Sequence, residues 1–154
     1  YRLNLLSLLL RLCKPAEALH VCEEGLAAAI SDPRLAARLW VQKGGVLRHL
    51  HRHVEALEAY AQAHALAPDL PSAWEGEGLA QAALGKHTEA LSALKRATDL
   101  HPKNAWLWYN YGEMLIESGN YSEAIRALNR ALVLKPNHAK AELKRKEARR
   151  KLSQ

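Results

Sequence analysis

Apolar positions are crowded at the start of the chain and become periodic downstream. Leu3, Leu5, Leu6, Leu8, Leu9, Leu10 and Leu12 fall within ten positions, so the first predicted helix is apolar nearly all round and needs cover on more than one side. Farther on, small and aromatic residues recur between charged ones, and each recurrence closes on a proline. In a unit counted from Ala105, Trp108, Gly112, Gly119, Ala124, Ala131 and Pro136 stand at places four, eight, fifteen, twenty, twenty-seven and thirty-two. A step of 34 residues upstream reaches Trp74, Gly78, Gly85, Ala90, Ala97 and Pro102, and a second reaches Trp40, Gly44, His51, Ala56, Ala63 and Pro68. Only the turn glycine changes, to His51.

Each unit predicts two helices, A and B, joined by a short turn and closed by a break. Proline lacks an N–H and biases the residue before it away from the α region, so every helix B ends near Pro68, Pro102 or Pro136. An acid stands in the first turn of helix B each time (Glu17, Glu55, Glu89, Glu123), suiting the positive end of the helix dipole. Asn120 with Glu123 resembles a capping box, and Ser31-Asp32-Pro33 supplies an N-cap and a first-turn proline. Gly44, Gly78 and Gly112 face Ala56, Ala90 and Ala124, small against small, so the paired helices approach closely. Ala63, Ala97 and Ala131 admit the next helix A in the same way. The tryptophans at the fourth place fill space between helices.

Glu17-Ala18-Leu19 matches the start of the later B helices, so a degenerate unit precedes the first full one with about four extra residues. That insertion is expected to lengthen its helix B through Ala27-Ala28-Ala29-Ile30. After the last unit, Ala139, Leu143, Ala148 and Leu152 form a thin apolar stripe on a charged helix.

A 34-residue period of tandem helix pairs with small residues at these places resembles the tetratricopeptide repeat (TPR) family over nearly the whole chain. The resemblance implies an all-α fold: a right-handed superhelix of stacked antiparallel helix pairs with a C-terminal capping helix. The units run 1–36 (degenerate), 37–70, 71–104 and 105–138, followed by a basic solvating helix over 139–154, all in one solenoid.

Composition agrees, with 49% hydrophobic residues, 6% aromatic and no Phe. The formal charge of +6 belongs to the tail: from Ala139 onward seven basic residues oppose Glu142 and Glu147. No aromatic residue interleaves with those charges, so nucleic acid is not expected, and their apolar stripe is too thin for a membrane surface. Leu3 to Leu12 is too short to span a bilayer. Cys13 and Cys22 make neither a disulfide framework nor a metal motif, and they suit a cytoplasmic or other reducing intracellular compartment. The chain starts at Tyr1, within a predicted helix, and reads as a fragment of a longer array or multidomain protein.

Candidate chemistry is sparse. His49, His51 and His53 crowd one turn, but i,i+2 spacing on a helix points neighbours apart, and metal-binding pairs are i,i+4. No phosphate loop, catalytic triad or paired acids are found. The expectation is therefore a non-enzyme with no cofactor and no metal.

The resemblance implies instead a protein–protein interaction module, with a partner's peptide or helix lying in the concave groove lined by helix A. Carried over by place, the candidate binding residues are Arg38, Gln42, Arg48, Glu75, Trp106, Tyr109, Asn110 and Glu113. Asn110 matches a family asparagine that hydrogen-bonds a bound peptide's backbone, as an amide can both donate and accept. Tyr109 and Trp106 offer apolar anchors, and the small residues of the middle unit, Gly76 among them, make the groove roomy. The resemblance implies, for a carboxylate clamp on Hsp70 or Hsp90 termini, Lys and Asn in one repeat, Asn in the next, and Lys and Arg in the third. This chain has Leu3, Ser7, Gln42, Ser72 and Gly76, or, one repeat later, Val41, Gly45, Gly76, Trp106 and Asn110, neither set with the cations, so that type is not expected. The alternative is a structural segment that self-associates or docks onto another domain through the leucine-rich first helix.

Overall fold

In the computed structural model, residues 14–29 and 31–154 are described, and they form eight helices with no strand among them. These are α1 (Pro15–Ala28), α2 (Pro33–His49), α3 (His53–Leu66), α4 (Pro71–Ala83), α5 (His87–Leu100), α6 (Ala105–Glu117), α7 (Tyr121–Leu134) and α8 (Ala139–Leu152). The leucine-rich segment and its expected role in self-association lie outside the described residues. Consecutive helices pack as antiparallel hairpins, α2 with α3, α4 with α5 and α6 with α7, and each hairpin stacks on the next. Helices α2 and α4, and likewise α6 and α8, also touch each other. The A helices thus form one wall with the B helices outside it, and the array curves toward the A side.

Packing follows the small-residue logic. A side chain at Gly78 would lie 2.8 Å from Leu94 Cγ and 3.1 Å from the Ala90 carbonyl oxygen, and one at Gly112 would lie 2.8 Å from Leu128 Cγ. Ala90, Ala97, Ala124 and Ala131 are fully buried. The fourth-place tryptophans are half-buried rather than enclosed. Trp74 and Trp108 each donate the indole N–H to the proline carbonyl six residues back, Pro68 at 2.9 Å and Pro102 at 2.8 Å. Each therefore pins the break between repeats to the hairpin that follows.

Three expectations need correction. The four extra residues do not extend α1, which has 14 residues like α3, α5 and α7. They lengthen α2 instead, to 17 residues against 13 in α4 and α6, because Asp32 caps it early by accepting from the N–H groups of Arg34 and Leu35. Asn120 makes no side-chain cap, and the Glu123 carboxylate accepts from the Tyr111 hydroxyl at 2.9 Å instead. On α8 the buried stripe is Ala141 and Ala148, both fully buried, whereas Leu143 and Leu152 are 68% and 52% exposed.

His51 sits where Gly85 and Gly119 take φ of 74° and 78°, and it is itself left-handed at φ 59°. A Cβ in that region costs roughly 1 kcal/mol or more, and a glycine there regains most of it, less its entropy in the unfolded chain. His51→Gly is therefore expected to stabilise the protein by about 0.5–1 kcal/mol. A urea midpoint that stays put or falls, at unchanged slope, would contradict this.

Candidate functional site

The inner wall is built from one face each of α2, α4, α6 and α8. Arg38 stands exposed on α2 and Gln42 is half-buried one turn on. Arg48, also half-buried, has a buried Nε with no hydrogen-bond partner, and its charge acts on both the Tyr60 phenol and the Glu75 carboxylate. Burial pushes the Glu75 carboxyl up, and Arg48 and Asn110 hold it back. Asn110 on α6 donates through Nδ2 to Glu75 Oε1 on α4 at 2.8 Å. A polar strip, Arg48 to Glu75 to Asn110, therefore crosses three successive hairpins.

The middle of this wall is not roomy. A Cβ on Gly76 would lie inside contact distance of Tyr60 Cε1 and Cζ and 2.6 Å from the Tyr60 hydroxyl oxygen, while one on Gly44 would lie 2.7 Å from Cε1. The phenol, 2% exposed, occupies the space that both glycines leave free, and burial pushes its pKa up.

At the α6 end the aromatic residues divide. Trp106 is 45% exposed, with the Lys140 ammonium 5.9 Å from its ring centroid. Tyr109 is only 7% exposed and does not serve as a free anchor. Its ring stacks on His138 at 5.0 Å and meets Trp106 edge-on at 5.5 Å. The Tyr109 hydroxyl donates to Glu113 Oε1 at 3.1 Å, and Lys144 Nζ lies 3.3 Å from the same oxygen. Burial works to lower the Lys144 pKa, but Glu113 and Glu147 more than offset it, so the ammonium is held above its ordinary value.

Two residues of this site escaped the reading by repeat place. His138 is 5% exposed and caps α8, accepting from the Ala141 N–H at 3.3 Å through Nδ1, and burial lowers its pKa. It stands 34 residues after Asn104, which accepts from the Trp106 N–H at 2.9 Å to cap α6, so the period carried a signal for it. The second, Tyr60, is a larger residue where Leu94 and Leu128 follow at the same step.

Of the tail's cations, Lys144, Arg145, Lys146 and Lys151 all lie within ion-pair distance of Glu113, Glu142 or Glu147. Among the described residues no cluster of metal-ligating side chains occurs, and no helix is long and apolar enough to cross a membrane.

The fold and this wall define a class: a helical-repeat solenoid of stacked hairpins with a curved inner surface. Two family models, both described as tetratricopeptide repeat, match residues 35–103 and 81–147, and the chain belongs to the tetratricopeptide repeat family. It is thereby an interaction module of a family that is typically non-catalytic. No curated protein sequence matches it. Among solved structures it is similar to YrrB, a TPR protein with an unusual peptide-binding site, at 25% identity and a TM-score of 0.74 over 94% of this chain and 73% of that one. It is similar also to MamA from Desulfovibrio magneticus RS-1, at 21% identity and 0.74 over 99% and 89%. The first TPR of Spaghetti (RPAP3), bound to the HSP90 peptide SRMEEVD, matches at 21% identity and 0.74 over 77% and 94%. At 21% identity the likeness is one of fold.

Proposed function

We propose that the inner wall holds a peptide or helix of a partner protein, without catalysis, by polar pairing along Arg48, Glu75 and Asn110 and apolar contact at Trp106. The observation that carries this reading is the juxtaposition of that half-buried polar strip with a tryptophan left 45% exposed beside it. Half-buried amides and guanidinium groups gain strength once a partner excludes water, and large aromatic residues at the centre of a contact supply most of its energy. Arg38, Gln42 and Glu113 border the strip. Peptide binding by the structural relatives YrrB and the Spaghetti TPR supports a peptide as the occupant. The absence of clamp cations, with Val41, Gly45, Gly76, Trp106 and Asn110 at those places, argues against the carboxyl termini of Hsp70 and Hsp90.

The test is capture of partners on the immobilised chain, with and without Trp106→Ala and Asn110→Ala together. The pair is expected to weaken capture by about 2 kcal/mol or more, roughly thirtyfold, with helical circular dichroism unchanged. Capture that survives both substitutions would rule out this wall.

A further inference from the structure

In the first and last full hairpins an outer cleft lies beside the fourth-place tryptophan, and in the last one helix A forms its floor between two B helices. In the middle hairpin the place beside Trp74 is taken by His64 from α3, with ring centroids 4.0 Å apart, and His64 Nε2 is 2.7 Å from Glu77. One repeat later Thr98 replaces His64 and Tyr111 replaces Glu77. The Thr98 hydroxyl turns back to the Lys95 carbonyl at 2.7 Å, and a cleft of about 260 Å³ is left, lined by Lys95, Trp108, Tyr111, Glu123, Arg126 and Arg130.

Its charge is not a requirement of the fold. The same cleft in the first full hairpin, about 410 Å³, carries Glu58 and Gln62 where the last carries Arg126 and Arg130. Arg126 and Arg130 are exposed, one helical turn apart on α7, and neither has a carboxylate within ion-pair distance among the described residues. The aromatic walls have no donors to spare. The Trp108 indole N–H is bonded to the Pro102 carbonyl and the Tyr111 hydroxyl to Glu123, so neither offers a hydrogen bond to a ligand.

We infer that this cleft, on the side of the array opposite the groove, is a second docking site for an acidic segment of a partner protein. Two carboxylates spaced by about 6 Å would pair with the forks of Arg126 and Arg130, while an apolar side chain rests on the half-buried Trp108, with the buried Tyr111 beneath. Arginine suits this role because its planar fork matches a carboxylate in two bonds. A nucleic-acid strand fits less well, because the half-buried Trp108 and the buried Tyr111 offer no open platform on which bases could stack.

The test is fluorescence anisotropy of the intact chain with a short labelled peptide of Glu and Leu, a matching peptide with Gln for Glu, and labelled oligothymidylate. The acidic peptide is expected to bind, with affinity that falls as salt rises and drops about tenfold or more in Arg126→Glu/Arg130→Glu. Arg126→Lys/Arg130→Lys should recover part of the loss. Both positions are exposed, so the variants should melt like the parent. Equal binding of the Gln peptide, undiminished affinity after charge reversal, or preference for oligothymidylate would each overturn the proposal.

Discussion

Gly76→Ala should destabilise the protein by about 2 kcal/mol, even though alanine is the better helix former by about 1 kcal/mol. The reason is Tyr60. Its ring stands against both Gly44 and Gly76, closer than any Cβ on α4 could tolerate, and at 2% exposure it has no solvent to move into. A clash this close puts the cost of the added methyl group near the upper end of the roughly 1–3 kcal/mol range for overpacked cores, about 2 kcal/mol more than the propensity gain. The sign should reverse when the obstacle is removed. In a Tyr60→Leu background the next repeat serves as precedent, since Leu94 stands in the place of Tyr60 and Asn110 carries a full side chain in the place of Gly76. There Gly76→Ala should be neutral or stabilising by up to about 1 kcal/mol. A double-mutant cycle in urea measures both effects, and additive behaviour would show that the two positions do not meet.

The second large effect concerns the terminal helix. Ala148→Arg is expected to undock α8, at about 3 kcal/mol, because it forces a guanidinium without a partner into a site with no exposed surface. Leu143→Ala and Leu152→Ala, despite the larger side chains lost, should each change stability by less than about 0.5 kcal/mol, since both leucines face solvent. Stability in a stacked array is a sum over neighbours. Amide hydrogen exchange should therefore accelerate across α8 and its contact with α7, while α2 to α5 keep their protection. Loss of protection throughout, or a large cost at Leu143, would refute this packing.

The two predictions mark where reading by period succeeds and where it fails. The hairpins, their breaks and the close approach of paired helices were legible, because Gly44, Gly78, Gly112 and the prolines act through local sterics. Of the stripe expected on α8, Ala148 is buried, whereas Ala139, Leu143 and Leu152 face solvent and Ala141 takes the buried place instead. At the end of the array the pairing face is set by α6 and α7, whose closely packed surfaces admit Ala141 and Ala148. The insertion was placed in the wrong helix for a similar reason: a run of alanines prolongs any helix, and the cap at Asp32 decided which one.

The candidate groove divides in the same way. The repeat places picked out Glu75, Trp106 and Asn110 on the wall, but not that Asn110 already donates to Glu75 or that Tyr109 is spent on His138.

The sequence alone determined the all-α hairpin array, since a 34-residue recurrence of small side chains and prolines leaves consecutive helices little choice but to pair and stack. Only the tertiary structure decided which side chains remain available to a partner. Residues about half a repeat apart, such as Tyr60 and Gly76, or about one repeat apart, such as Glu75 and Asn110 or Lys95 and Arg126, come together through the pitch of the stack, and no single spacing along the chain records that proximity.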